Sequence, residues 1–380
     1  MLLNWPIIIL CAVGISILLT LIVIPQILHV SLAKKLFDRP NNRKVHTGVV
    51  PRLGGLAFLP VLVITLGIIL LIPASYSRDL FIDQSMGFSQ CLPDILVLLG
   101  AMTIMFLTGL YDDLLGVKYG VKFIAQLCAA VMIVEAGVYI IDYDHLFGIG
   151  VTTDVMGKII TGFLVVYIIN AFNLIDGIDG LAAGLCLMAL CFFGWILFVE
   201  QQWLFSLIAW VMGGSMAVFW VFNVFGNKRR HTKIFMGDIG SLSMGVLVAF
   251  MAILVGRQPE GASAWQMRPL VLALSPLVIP MLDVVRVFCV RILHGTSPFL
   301  PDKRHIHHLM LAAGISMKSV MAVIILFQVV IVGANLWLTD YTSINFILIV
   351  DILIYALGVA VLSTLIRFAN HKIPAKKQLK

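Results

Sequence analysis

Five aspartates carry the chemistry that this sequence can offer. Asp112, Asp113, Asp176, Asp179 and Asp238 all sit at the ends of very hydrophobic segments, among Gly and Asn. Only 19 of the 380 residues are acidic. Carboxylates at the edge of hydrocarbon are costly and mark sites that handle ions, protons or charged substrates. The adjacent pair Asp112-Asp113 repels itself unless a cation or a set of donors compensates. Lys118 and Lys122 follow closely and are candidates for that role, as is a divalent cation.

The stretch 170–181 reads Asn-Ala-Phe-Asn-Leu-Ile-Asp-Gly-Ile-Asp-Gly-Leu. Asn170, Asn173, Asp176 and Asp179 recur at every third position, so successive pairs share a face if the helix continues. A cap needs one Asn or Asp, not four in register. In Lys233-Ile-Phe-Met-Gly-Asp238-Ile-Gly-Ser241, Asp238 opens an apolar run. It either caps a helix or stands where free helical amides meet phosphate. Phe235, three residues earlier, is placed to pack on a base. Arg304-His305-Ile306-His307-His308 has the look of a zinc site but lacks paired cysteines. A donor cluster for anionic oxygens is the preferred reading. Asp283 and Arg286 either neutralise each other or lie near the site.

The elements that must position these residues are membrane spans. The chain is 61% hydrophobic and 12% charged, against roughly 25% charged in soluble domains. Apolar runs long enough to span cover 5–30, 53–73, 94–111, 120–141, 155–172, 181–199, 203–222, 240–256, 269–290, 319–338 and 344–368. The expected fold is therefore all-α and polytopic, with about eleven transmembrane helices. It forms a single membrane domain over 1–370, followed by a basic tail over 371–380. The first run lacks a basic flank and a cleavage site, so it reads as a retained span.

Basic residues test this arrangement. The first loop holds Lys34, Lys35, Arg39, Arg43, Lys44 and Arg52; the third holds Lys118; the seventh holds Lys228 to Arg230 and Lys233. The ninth holds Arg291, Lys303, Arg304 and Lys318, and the tail holds four more lysines. Even-numbered loops carry only Arg78, Arg257 and Arg268. By the positive-inside rule the odd loops and C-terminus are cytoplasmic and the N-terminus is outside. All the dense polar clusters then face one cytoplasmic cleft. The +7 net charge is dispersed among loops and is not a nucleic-acid signature. The six cysteines have no metal spacing.

At Gly109 to Asp113, Asn170 to Leu181, Phe235 to Ser241 and Pro301 to His308, the chain resembles the polyprenyl-phosphate N-acetylhexosamine-1-phosphate transferases. The resemblance covers roughly 35 to 320 and includes the span layout. It implies transfer of a sugar 1-phosphate from a UDP-sugar to undecaprenyl phosphate, with release of UMP and a requirement for Mg²⁺, which Mn²⁺ substitutes. Carried over by position, Asp238 is the firmest metal ligand, with Asp112 and Asn173 beside it. Asp112 and Asp113 lie by the metal and lipid phosphate. Asp176 and Asp179 serve nucleotide recognition. His305, His307 and His308, with Arg304, match the motif implicated in binding the donor. Lys44 matches a first-loop lysine, and either Lys118 or Lys122 contacts the lipid phosphate. Asn170 and Phe235 complete the substrate-binding set. The His-Ile-His-His form resembles the branch that uses UDP-GlcNAc to start O-antigen, common-antigen or teichoic acid chains. UDP-GalNAc and the MurNAc-pentapeptide donor stay open as alternatives, as do a homodimer and, from another class, a cation-coupled carrier of an anionic sugar. The expected location is the bacterial inner membrane.

Overall fold

The computed structural model describes residues 5–36, 50–74, 88–257, 268–297 and 304–371. Lys44 and the tail beyond 371 lie outside them. The elements in order are α1 (Trp5–Ala33), a 3₁₀ turn (Leu53–Ala57), α2 (Phe58–Ala74), α3 (Phe88–Leu115) and α4 (Tyr119–Glu135). A hairpin of β1 (Asp142–Leu146) and β2 (Ile149–Val151) precedes α5 (Asp154–Ile175), α6 (Leu181–Val199), α7 (Trp203–Phe225) and α8 (Gly237–Gly256). Then come α9 (Pro269–Leu274), a 3₁₀ turn (Ser275–Leu277), α10 (Val278–Leu293), α11 (Ile306–Ala312), α12 (Met317–Leu338) and α13 (Ile344–His371).

The chain is an all-α polytopic membrane protein. Nine helical segments among the described residues are long and apolar enough to cross a membrane, α9 and α10 counting as one. The apolar run in Leu53–Ile69 is shorter, and α4 has 17 residues. The outward surface is apolar: Leu10 is 72% and Leu71 is 71% exposed. Hydrocarbon, not water, is the solvent that such a surface fits.

Helix α8 is the central column. Every residue from Ile239 to Gly256 is buried, because α3, α5 and α6 pack around it. A helix enclosed on all sides needs no polar face, and beyond Asp238 its only polar side chains are Ser241 and Ser243. Its N-terminus is therefore the place where polar chemistry meets the core.

Two expectations change. The span expected over 120–141 ends at Glu135, where Gly137 takes a left-handed φ of +90°, and the loop after it holds the hairpin. The span expected over 269–290 is broken at Ser275–Leu277, where Pro276 removes a donor. Buried Gln328 of α12 repairs the break. Its amide donates to the Ser275 carbonyl (2.7 Å) and accepts from the Ile279 N–H (2.8 Å). No water at this depth is at hand to do so.

The ends of the helices sort by charge. At the hairpin end, acids and bases pair with one another: Asp94 with Arg257 (3.2 Å) and Asp144 with Arg268 (2.6 Å). The five aspartates of interest gather at the opposite end.

Candidate active site

The site is built on the N-terminus of α8. Gly237 has φ +69°, a conformation that side chains rarely adopt. A Cβ there would also strike the Arg52 carbonyl and the Asp113 carboxylate. The backbone from Pro51 to Gly55 runs alongside: Phe235 N–H donates to Pro51 O (2.8 Å), Gly54 N–H to Phe235 O and Gly55 N–H to Met236 O (3.0 Å each). Phe235 is thus held in a short backbone ladder, with its ring half-buried. Asp113, from the end of α3, accepts the Ile239 N–H at 3.0 Å. One helix supplies the cap of another.

Asp112 and Asp238 meet across a shared cation. Lys122 Nζ lies 2.5 Å from Asp112 Oδ2 and 3.2 Å from Asp238 Oδ1. The other Asp112 oxygen accepts the Val117 N–H (2.6 Å). Asn173 donates to Asp238 Oδ1 (2.6 Å) and to Ser241 Oγ (2.8 Å). Two carboxylates, an amide, a hydroxyl and an ammonium, drawn from α3, α4, α5 and α8, therefore converge at one membrane edge. The charged groups remain partly accessible, Asp238 keeping 24% of its side chain exposed, while Ser241 is buried.

Beside this cluster, the turn after α5 presents Asp176. Burial and the negative charge of Asp238 push its carboxyl up to about 7, against the opposing pull of Arg52. His307 packs on the next residue, Gly177, so closely that a Cβ there would lie 2.1 Å from its Nε2. The His307 ring is 1% exposed, and neither nitrogen has a hydrogen-bond partner. Burial, with His308 and His305 nearby, drops its pKa to about 3. It is a neutral ring at physiological pH, able to donate one N–H but not to act as a cation.

A model described as Glycosyl transferase family 4 matches residues 95–256, the part that holds all five aspartates. The undecaprenyl-phosphate alpha-N-acetylglucosaminyl 1-phosphate transferase of Escherichia coli K12 is 31% identical over 299 residues, covering 78% of this chain and 75% of its own length. The protein of the same name from Yersinia pestis is 30% identical over 77% of this chain and 73% of itself. The decaprenyl-phosphate N-acetylglucosaminephosphotransferase of Mycobacterium leprae is 33% identical over 76% and 73%. The chain belongs to the polyprenyl-phosphate N-acetylhexosamine-1-phosphate transferase family.

In this transferase the predicted residues divide into groups. Asp112, Asp238, Asn173 and Lys122 come together, with Asp113 and Asp176 alongside. Of the two lysines left open by sequence, Lys122 enters the cluster, while Lys118 is an exposed N-cap of α4. Asn170 does not join them. It lies one turn deeper, in a reciprocal amide pair with Gln126 (2.7 and 3.2 Å). Asp179 is committed to Lys233 (2.6 Å), which also donates to the Asn223 carbonyl (3.1 Å). Asn223 in turn accepts the Gly180 N–H and donates to Ile234 O. This clasp ties the turn after α5 to the loop before α8. His305 is bound to Asp283 (2.7 Å), and His308 lies beside His307 with ring centroids 4.2 Å apart. The Arg304 carbonyl accepts from Arg286.

Sequence reasoning missed Gln126, Ser241, Lys233 and Asn223 as partners. Lys233 and Ser241 stood within the Asp238 segment, so their proximity in sequence was a usable signal. Gln126 offered a weaker one, four residues after Lys122 and so on the same face of α4. Asn223 offered none.

The donor set suits a hard divalent cation. An ammonium already occupies the place between Asp112 and Asp238, which shows that this place favours positive charge. Mg²⁺ is commonly held by one or two carboxylates plus substrate phosphates. Among the described residues no three His, Cys, Asp or Glu side chains converge as a complete metal cage, so phosphate oxygens would have to complete the coordination. Asp238, Asp112 and the Asn173 amide oxygen are the groups that would hold the ion.

Proposed function

We propose that this chain transfers GlcNAc 1-phosphate from UDP-GlcNAc to undecaprenyl phosphate at the cytoplasmic face of a bacterial inner membrane, releasing UMP. The observation that carries the reading is the Asp112–Lys122–Asp238 arrangement at a membrane edge. There a lipid phosphate and a soluble nucleotide reach the same point. The relatives' names support GlcNAc as the sugar and a polyprenyl phosphate as the acceptor. The basic residues at this end support its cytoplasmic orientation.

The chemistry is in-line phosphoryl transfer. A non-bridging oxygen of the lipid phosphate forms a bond to the β-phosphorus of the donor. The bond from that phosphorus to the bridging oxygen breaks, and the oxygen departs with UMP. A phosphate monoester has a second pKa near 6, so the acceptor is largely dianionic at pH 7 and needs no strong base. A bound Mg²⁺ supplies charge neutralisation for the pyrophosphate and the leaving group. Lys122 contributes fixed positive charge at the same place. Asp112 has both oxygens engaged, by the Val117 N–H and by Lys122. That supports a role in positioning over a role as a covalent nucleophile. Asp113 is engaged as the cap of α8.

The test is UMP release by purified protein. UMP should appear from UDP-GlcNAc only when undecaprenyl phosphate is present, and Asp238→Ala should abolish it. UMP release without lipid, or full activity in the variant, refutes the reading.

A further inference from the structure

Asp283 lies in α10 and is 0% exposed, yet it does more than neutralise Arg286 on its own helix. Its Oδ2 faces His305 Nδ1 at 2.7 Å. Its Oδ1 accepts the Ile306 N–H (2.9 Å), the Tyr355 hydroxyl (2.8 Å) and Arg286 Nη2 (2.9 Å). Arg286 Nη2 also donates to the carbonyl of Arg304. The pair therefore grips the backbone on both sides of His305. Ile306 opens α11, the short helix that carries His307 and His308. One buried carboxylate thus fixes the ring of the first histidine and the direction of the helix bearing the other two.

The donors come from three separate places: α10 itself, the start of α11, and Tyr355 of α13. An i,i+3 ion pair would need only the first. Gathering four donors on one carboxylate, with the far helix involved, is how a side chain's geometry is over-determined. With Nδ1 committed to Asp283, Nε2 is the ring atom left with which His305 can meet a ligand. Carboxylate partners set histidine orientation and tautomer in this way in metal sites and triads.

We propose that Asp283 is a positioning residue for the nucleotide-sugar half of the reaction. It holds His305 with the Nδ1 proton toward the carboxylate and Nε2 toward the donor's phosphate or sugar. Tyr355 acts through Asp283 and couples α13 to the site. The inference rests on the functional reading above, in which the histidine segment meets the donor.

The experiment uses full-length protein in nanodiscs with ¹⁵N-labelled histidine, the His305 signals being assigned by loss in His305→Gln. Two-bond couplings report which ring nitrogen carries hydrogen. The wild type should show Nδ1–H for His305, and Asp283→Asn should lose it. In parallel, Asp283→Asn should raise KM for UDP-GlcNAc at least ~10-fold, the scale on which lost positioning acts, while KM for undecaprenyl phosphate stays unchanged. Tyr355→Phe should shift the same KM in the same direction by less. The proposal is overturned if Asp283→Asn leaves the His305 tautomer and nucleotide KM unchanged. It is equally overturned if both substrates are affected alike together with a lowered melting temperature. If the wild type does not bind UDP-GlcNAc at all, the functional reading fails, and the tautomer measurement shows separately whether Asp283 positions His305.

Discussion

The Asp113 carboxylate accepts the backbone N–H of Ile239 at 3.0 Å, joining the last turn of α3 to the first turn of α8. Its neighbour Asp112 faces Lys122 instead. Two adjacent aspartates therefore do different work, one holding the central helix and the other entering the charged cluster. Asp113→Ala should lower stability by about 1–2 kcal/mol, the value of a lost cap, while Asp113→Asn should recover most of it because an amide oxygen still accepts. Thermal unfolding in detergent checks this. Asp112→Asn should leave the melting temperature nearly unchanged while removing activity.

Lys122 is the cation that lets Asp112 and Asp238 approach. Lys122→Met should cut the rate of UMP release by ~100-fold or more, since fixed charge aimed at a reacting phosphate acts on that scale. Lys118→Met, at an exposed N-cap, should stay within about twofold, as surface substitutions do. Equal losses in the two variants would contradict the placement of Lys122.

The Asp179–Lys233 pair is nearly buried, with 14% and 9% of the side chains exposed. Removing one partner leaves the other charge stranded. Lys233→Met should therefore cost about 3–5 kcal/mol. The double variant Asp179→Asn with Lys233→Met should recover a substantial part, since neither charge then remains. A double variant no more stable than Lys233→Met would show that the pair does not act as a unit.

Asp176 provides the pH dependence. Its carboxyl is raised to about 7 in the folded protein, above the 3.8 of an ordinary aspartate, so the folded state keeps a proton that the unfolded chain has lost. This contribution to stability is fully present below the unfolded pKa and is lost as pH rises through about 7. Asp176→Asn mimics the protonated acid. Ligand-free wild type and variant should melt alike near pH 4, and the variant should become progressively the more stable toward pH 8. A difference that does not change with pH would contradict the raised value.

The sequence made the meeting of Asp112, Asp238 and Asn173 readable, because span parity and loop charge put those helix ends on one side. At 170–181 the three-residue spacing gives one polar face only where the helix continues, and Gly177 and Gly180 mark the turn that ends it: α5 stops at Ile175. Asn170 and Asn173, still on the helix, meet Gln126 and Asp238, while Asp179, past the turn, meets Lys233. The choice between Lys118 and Lys122 was not readable. It depends on where α4 begins: Lys118 caps it, and Lys122, one turn in, points back to Asp112. Asp283 and His305 are separated by 22 positions and by the end of a helix, and Tyr355 lies farther still. No periodicity links residues that only tertiary packing brings together.

The central claim is the identity of the transferred group and its acceptor. The direct measurement offers purified protein in nanodiscs an equimolar mixture of UDP-GlcNAc, UDP-GalNAc and UDP-MurNAc-pentapeptide with undecaprenyl phosphate, and weighs the lipid product. The account predicts undecaprenyl-diphospho-GlcNAc as the dominant species, formed in step with UMP. A product carrying the pentapeptide or GalNAc in excess, or no lipid product at all, would contradict it.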